Sequence, residues 1–541
     1  MRMIPLGGCG EFGRNITAYE GVPGADGERP IVVIDCGAQF PEAEAPGVEL
    51  FLPDFRWLAS QKHRVRAYVI THAHEDHLRA LPQALLACPA PVYGRRFTMK
   101  MAENLLREHG QRGDLRHLEP GTRVELDGIS VEALAVAHSI PDACAICIES
   151  GDRRAVHTGD LKLELDDEGR GDLSRLEAIG QRGVDLLALD STNATRLGRS
   201  RREVDVERSL KQAVEKLPAR VLVTQFASNV GRVASLCRVA QAVERQICFV
   251  GRGLKETTEL GRSLGLILAP SGLIVGEEAA AWAPPRAIML VATGSQGEPR
   301  SALGRLAFDE HRKLVLDPGD AVVFSSRPVP GNELRVERLV DRLIERGVQI
   351  VDHPDLHASG HAAADELSEL MSALRPRAVV PIHGRGRQLE ALAMLAEARG
   401  MQSVRVRDGD VVEISADTVQ KTAEVPAGRV ALEGEGQHAV LGDVGPATLK
   451  ERVRLGRIGL VVAARGGDGA WQVQAHGVCE QPMVAPLLAR ARAEAERIAP
   501  HVMPDIGELA TDGHRGEAVR RAIAKIFDTA RGVKPHVVVL L

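Results

Sequence analysis

Short apolar runs that end on a polar, chemistry-bearing residue recur through the first 190 residues. Residues 1–38 read as strand, turn, strand, with the turn in the glycine-rich GGCGEFGRN at 7–15. No helical pattern follows that turn, so it is a poor phosphate loop. IVVIDCG is a continuous apolar strand that delivers Asp35 at its C-terminal end. Residues 65–70 form another buried strand, followed by THAHEDH at 71–77 and a helix-like run over 77–87. SVEALAVAHS alternates with the period of two expected of a strand and ends in His138. RRAVHTGD ends in Asp160 and VDLLALDST in Asp190. Strands that repeatedly end in His or Asp describe an α/β sandwich whose loops converge on one edge.

From 204 to 344 the pattern changes to strand–helix alternation. RVLVTQF, QICFVG, AIMLVATG and DAVVFSS are continuous apolar runs, with helical stretches such as GRVASLCRVAQAVER between them. That is the signature of a parallel sheet covered on both faces. Metal-type residues resume afterwards in DLHASGH and VVPIHG, so this lobe reads as an insertion into the first domain. Beyond 417, GLVVAARGG, WQVQAHGV and HVVVLL read as strands, and APLLARARAEAERI and GEAVRRAIAKIFDTA as amphipathic helices. They form a small α/β appendage whose arginines read first as a solvated face and second as an RNA contact.

With 541 residues the chain has room for two or three domains, and 44% hydrophobic with 26% charged residues is ordinary for a soluble protein. No stretch resembles a signal peptide or a membrane span, which predicts a cytoplasmic protein. Eight cysteines make no disulfide framework in a chain this long. Cys144 and Cys147 form a CxxC within an alternating run, which puts the thiols on opposite faces of a strand and argues against chelation. A net charge of −5 excludes a protein that coats polyanions indiscriminately, and 3% aromatic residues exclude an extensive base-stacking platform.

THAHEDH dominates the chemistry. His72, His74, Asp76 and His77 are four potential ligands within six residues. Imidazole and carboxylate are what zinc takes where no thiolate is present. In an extended loop His72 and His74 point the same way, and the helix start turns Asp76 and His77 toward a neighbouring position. Two adjacent metals are the natural reading; the bland one is a histidine-rich surface loop. Asp35 then supports the metal site from behind.

THAHEDH together with Asp35, His138, Asp160 and His383 resembles the ligand set of the metallo-β-lactamase fold. DSTNA, FASN, TGSQGEP, SSRPVPGNE, HASGH and PIHG are similar to the β-CASP branch. Over residues 1–450 the chain resembles the ribonuclease J family. The resemblance implies an α/β fold: an αββα metallo-β-lactamase sandwich (1–203 and 345–420), an inserted parallel-sheet β-CASP domain (204–344), a linker (421–450) and a small α/β C-terminal domain (451–541). It implies one zinc on His72, His74 and His138, another on Asp76, His77 and His383, and Asp160 bridging them, with manganese as the alternative metal. It makes Asp76, Asp190 and His361 catalytic, His361 serving as the acid with Asp190 orienting or sharing the proton. His357, Ala358, Ser359, Gly360 and His361 match the segment that holds an RNA 5′-monophosphate in the family. Gly47, Glu49 and Asp443 fall where a structural calcium would lie.

The implied function is a two-zinc ribonuclease with 5′→3′ exonuclease and endonuclease action, in mRNA decay and rRNA maturation. The implied partners are RNA, a second copy in a homodimer or homotetramer assembled through the C-terminal domain, and an RNA-degradation complex, with no membrane. Three departures from the family pattern stand out: Glu49 in place of Asp, Gly231 in place of His, and Arg385 in place of Glu after PIHG. Arg385 alone keeps open a weakly active RNA-binding subunit partnering an active paralogue. The superfamily separately leaves a hydrolase of another substrate, such as a DNA phosphodiester or a thioester, with the β-CASP motifs and HASGH arguing against small esters.

Overall fold

Two sheets press face to face because their inward positions are uniformly apolar. The computed structural model describes residues 1–41, 45–164, 173–298, 300–328, 332–434, 440–442, 444–502 and 515–540. One sheet has eight strands, in the order Val419–Glu424, Asp410–Ile414, Arg2–Gly7, Ile16–Glu20, Ile31–Ile34, Val65–Val69, Val92–Gly94 and Leu115–His117. The other has seven, in the order Gln402–Ser403, Pro376–Ile382, Val184–Asp190, Arg153–His157, Cys144–Ser150, Ile129–Ala135 and Arg123–Leu126. Met3, Tyr19, Val32 and Val69 of the first meet Val131, Ile146, Leu186 and Val380 of the second, all wholly buried. Each large apolar side chain so buried contributes about 1.5–3 kcal/mol.

Helices cover the outer faces. Leu176, Ile179, Leu370 and Leu392 lie over Cys147, Val156, Leu187 and Val379 of the second sheet. On the first sheet, Tyr68 donates its hydroxyl to the Cys88 carbonyl at the end of helix Leu81–Ala87. The result is the helix–sheet–sheet–helix layering that the family resemblance implied. The CxxC thiols separate as the period of two requires, Cys144 in the inter-sheet core and Cys147 beneath the helices. All eight cysteines are free thiols, seven of them buried.

The inserted sheet is parallel and five-stranded, ordered Gln246–Val250, Ile288–Ala292, Val221–Thr224, Ala321–Phe324 and Gln349–Asp352. Its fifth strand lies past 344, because helix Glu333–Glu345 leads into one more strand before the chain returns. FASN, TGSQGEP, SSRPVPGNE and HASGH follow the carboxyl ends of four of these strands, where ligands of open parallel sheets bind. Pro299 and residues 329–331 of those motifs lie outside the described residues.

The stretch expected as a linker carries structure: strand Val419–Glu424 pairs with Asp410–Ile414, strand Arg429–Glu433 follows, and helix Pro446–Ile458 comes next. The backbone there finds strand partners, which polar composition alone does not reveal. The C-terminal unit is a three-stranded sheet, Trp471–His476, Leu460–Arg465 and His536–Leu540, with helices Gln481–Val502 and Arg515–Arg531. Trp471, Ile523 and Phe527 are its buried centre. Arg492 and Arg497 pair with Glu496 and Glu494 of their own helix, and Arg520 and Arg521 with Glu517, as on a solvated face. No helix among the described residues is long and apolar enough to cross a membrane.

Segment 36–38 braces the THAHEDH loop from behind. Cys36 N–H donates to the His77 carbonyl at 2.7 Å and Ala38 N–H to the Glu75 carbonyl at 3.1 Å. Between them, a Cβ on Gly37 would lie 1.6 Å from the Asp76 carbonyl oxygen. Gly37→Ala is therefore expected to push the loop away and cost about 1–3 kcal/mol. A melting temperature equal to wild type in chelator-treated protein would contradict this contact.

Candidate metal centre

Three neighbouring parallel strands bring carboxylates and an imidazole to one edge. Arg153–His157, Val184–Asp190 and Pro376–Ile382 pair so that His157 faces Ala188 and Asp190 faces Ile382. Asp160, Asp190 and His383 follow at their carboxyl ends. Strand Ile129–Ala135 leads to His138, and the parallel pair Ile31–Ile34 and Val65–Val69 leads to Asp35 and His72. Two of these turns are held in the left-handed region that glycine favours, Asp35 at φ 60° and His383 at φ 53°. Such strain persists where the surroundings over-determine it, and strained residues cluster at functional sites.

Two ligand groups share one carboxylate. His72 Nε2 and His138 Nε2 lie 3.0 and 3.1 Å from His74 Nδ1, and 3.7 and 3.9 Å from Asp160 Oδ2. In the second group His77 Nε2 lies 3.3 Å from Asp160 Oδ1 and 3.6 Å from Asp76 Oδ2, which is 3.2 Å from His383 Nε2. Nitrogens bound to one zinc at about 2.0–2.1 Å in a tetrahedron sit about 3.3 Å apart. Asp160 Oδ1 is buried with no hydrogen-bond partner among the described residues. Converging imidazole nitrogens around an orphaned carboxylate oxygen fit divalent cations.

Four of the five candidate ligand rings are aimed by the other nitrogen. His77 Nδ1–H donates to Asp35 Oδ2 at 2.7 Å, and His138 Nδ1–H to the Gly360 carbonyl at 2.7 Å. His72 and His383 use a relay whose members the motif reading did not single out. His72 Nδ1 lies 3.0 Å from Thr71 Oγ1, which donates to Asp35 at 2.9 Å. His383 Nδ1 lies 2.7 Å from Thr192 Oγ1, which donates to Asp190 Oδ1 at 2.7 Å. A hydroxyl that gives its proton to a carboxylate must accept from the imidazole, so Nε2 is left free to ligate. Thr71 adjoins His72 and Thr192 lies two residues past Asp190, and that proximity was the available signal.

Burial drives His72 and His138 well below the usual histidine pKa and His74 down to about 4, leaving lone pairs available. Burial also opposes charge on His77, but the carboxylates of Asp160, Asp76 and Asp35 outweigh it and raise the ring well above its usual value. His383 is pushed up to about 10 against burial, by Asp160, Asp190 and Asp76. Protons on His77 and His383 thus balance the carboxylates where a cation would otherwise do so.

Beside this centre, His361 Nδ1 lies 2.7 Å from Asp190 Oδ2, and the ring stacks on His383 at 5.5 Å. Ser359 Oγ accepts from Asn193 Nδ2 at 2.8 Å and from the His361 N–H at 3.2 Å, which leaves its own proton to donate. Ala358 is buried. Gly360 has no room for a side chain, since a Cβ would lie 2.7 Å from His138 Cε1. Its carbonyl therefore serves His138.

The glycine-rich turn is a bracket: Gly10 N–H donates to the Gly384 carbonyl and His383 N–H to the Gly8 carbonyl, at 3.0 and 3.1 Å. Arg385 is exposed over the Phe12 ring at 5.9 Å. Gly231 is exposed, with only Asn229 Oδ1 near an added Cβ. The calcium grouping gains no support. Glu49 is exposed, Asp443 lies outside the described residues, and Arg452 Nη1 donates to the Pro46 carbonyl within 2.8 Å of a Gly47 Cβ.

Comparison with known proteins gives concordant results. A family model described as the metallo-beta-lactamase superfamily matches residues 11–224, one described as "Ribonuclease J, beta-CASP domain" matches 218–343, and one described as "Zn-dependent metallo-hydrolase RNA specificity domain" matches 354–407. A ribonuclease J of Mycolicibacterium smegmatis is 35% identical over 540 residues, covering 97% of this chain and 94% of that one. One of Sinorhizobium meliloti is 34% identical over 99% of this chain and 96% of that one. One of Thermus thermophilus is 34% identical over 88% and 84%. A crystal structure of a protein of unknown function from Enterococcus faecalis shares the fold, with a TM-score of 0.54 at 16% identity, covering 76% of this chain and 99% of that one.

The raised imidazoles set a pH dependence. His383, raised from 6.5 to about 10, stabilises the metal-free fold fully below about pH 6.5, and that contribution is lost as pH rises through about 10. At pH 7.5 a divalent cation must displace the protons of His77 and His383, so calorimetry in buffers of different ionisation enthalpy is expected to read about two protons released. Binding with no proton release would contradict the ligand grouping.

Thr192→Val removes the hydroxyl that orients His383 and is expected to weaken metal binding by about 10–100-fold in competition with a chromophoric chelator. Thr192→Ser is expected to keep it. Equal affinities for the valine and serine variants would rule out the relay.

Proposed function

The chain belongs to the ribonuclease J family, and from that premise we propose that it is a metal-dependent ribonuclease that degrades RNA from the 5′ end with two zinc ions. On this reading His72, His74 and His138 hold one ion, Asp76, His77 and His383 the other, and Asp160 both. Manganese can replace zinc at an imidazole–carboxylate site. When bound, such ions would supply Lewis-acid polarisation of a phosphodiester and a more acidic water at these residues. The observation that carries the reading is the sharing of Asp160 by both ligand groups beside the Asp190–His361 pair.

The chain's own residues supply the rest. The Asp190 and Asp160 carboxylates outweigh the burial of His361 and raise its pKa, which favours the protonated ring. Asp190 remains ionised against burial, held down by His361 and His383. His361 is therefore the acid and Asp190 its orienter. As the P–O3′ bond breaks, the departing 3′-oxygen takes the His361 proton. The phosphate stays on the next nucleotide as a new 5′-monophosphate. His357 and the Ser359 hydroxyl, two to four residues before His361, are placed to bind that group, so each cut renews the end that the next cut recognises. Internal cuts need only that RNA reach the metals without using this segment. Family membership further supports roles in mRNA decay and rRNA maturation in the cytoplasm, and assembly as a homodimer or homotetramer.

The test is digestion of one labelled RNA carrying a 5′-monophosphate beside the same RNA with a 5′-triphosphate, by wild type and His77→Ala with zinc or manganese. Mononucleotides released from the monophosphate RNA by wild type alone are expected. Equal internal cuts in both RNAs would remove the end-sensing step and keep the nuclease. No cleavage by metal-loaded wild type would turn the reading to an RNA-binding subunit.

A further inference from the structure

Behind the His357–Ser359 segment runs a row of charges, buried at Lys162 and Arg232 and half-buried at Glu203, that the cleavage chemistry does not use. Lys162, two residues past Asp160, is 2% exposed, with Nζ 2.9 Å from Glu164 Oε1 and 3.7 Å from Glu203 Oε1. Glu203 opens helix Glu203–Glu215, where the chain departs for the inserted sheet. Its Oε2 accepts from Arg232 Nε and Nη2 at 3.1 and 2.8 Å. Arg232, on helix Val230–Ala242, is 0% exposed. Its Nη1 donates to the Ser325 and Leu356 carbonyls, each at 3.2 Å. The Ser325 hydroxyl donates to the same Leu356 carbonyl at 2.7 Å, directly before His357.

The row therefore touches the loop of the bridging carboxylate, the outgoing crossing at 203, the inserted lobe at 232 and 325, and the returning crossing at 356. Burying ions costs several kcal/mol each before their mutual attraction is counted, so an apolar contact would bind these pieces as well. What charges add over apolar packing is direction: a bidentate guanidinium accepts one registry of its partners and no sliding.

We propose that Lys162, Glu203 and Arg232 are positioning residues forming a strut that fixes the end-binding segment relative to the Asp160 metal cluster. Resting on the end-sensing reading above, the strut sets the spacing between the bound 5′-phosphate and the scissile bond. It thereby determines how strongly a 5′-monophosphate accelerates cleavage. Arg232 itself, fully enclosed and engaged by Glu203, Ser325 and Leu356, does not meet RNA.

The experiment uses the full metal-loaded chain and the Glu203→Gln and Glu203→Asp variants, each checked for metal content. The rate on 5′-monophosphate RNA is divided by the rate on the same RNA with a 5′-hydroxyl. Misplacing reacting groups by about 1 Å costs up to about a hundredfold, so Glu203→Gln is expected to lower the ratio by at least about tenfold at unchanged metal content. The 5′-hydroxyl rate should stay near wild type, and Glu203→Asp should recover part of the ratio. A proportional fall on both RNAs, or an unchanged ratio in folded protein, would overturn the strut. Should Glu203→Gln not fold, Lys162→Met, which leaves the Glu203–Arg232 pair intact, carries the same measurement in the same direction. A wild-type ratio near one would instead defeat the end-sensing reading. The strut is then judged by amide exchange over 356–361, where faster exchange in the variant supports it and unchanged exchange refutes it.

Discussion

Everything at this edge of the protein depends on one buried carboxylate that its surroundings cannot satisfy by themselves. Asp160 is 3% exposed, turns Oδ2 toward His72 and His138, and presents Oδ1 to His77 and His383. An isolated carboxylate in such a place would be neutralised or hydrated, because burying an unpaired charge costs far more than one hydrogen bond returns. The sandwich instead surrounds it with nitrogens on two sides. Buried carboxylates keep two of those rings protonated, while burial leaves three others neutral. The site is balanced for cations before any arrives.

Balance alone does not select ligand atoms; orientation does. The chain solves that problem twice with the same parts, an imidazole Nδ1, a threonine hydroxyl and a buried aspartate. Thr71 links His72 to Asp35, and Thr192 links His383 to Asp190. Asp35 also accepts a hydrogen bond from His77 Nδ1–H, and Asp190 one from His361 Nδ1–H. Two carboxylates thus set the direction of four rings. The second of them joins the metal ligands to the proton donor, so the position of His361 is not independent of the position of His383.

Much of this was readable in the chain. Strand-end His and Asp residues could be placed because a strand's period of two and its apolar character fix where it stops. The convergence of those stops follows from parallel pairing. The separation of Cys144 from Cys147 followed from the same period. Elements whose residues are polar on both sides were not readable: Val419–Glu424 has one buried residue and five exposed ones, and reads as linker until its ladder partner is seen. The strand Gln349–Asp352 has the same weakness, with no fully buried position. Partners distant in sequence were equally hidden. The Gly360 carbonyl on His138 spans 222 residues, and no local pattern announces it.

The place of the inserted lobe follows from chain topology. Strands Val184–Asp190 and Pro376–Ile382 are parallel neighbours, so the connection between them must cross the sheet, and helix Ala364–Leu374 makes that crossing. The lobe occupies the loop between Asp190 and that helix, and a loop leaving the carboxyl end of a strand lies on the metal-bearing edge. Growth at the amino end of the same strand would have left the metal site open to solvent and far from any added lobe. Inserted here, the lobe's own parallel strands present their carboxyl-end loops, and the returning chain must pass the metals as HASGH before the helix begins. The Gly360 carbonyl that holds His138 and the His361 ring that meets Asp190 are consequently neighbours on one short return path. The span from His357 to His361 belongs to both domains at once.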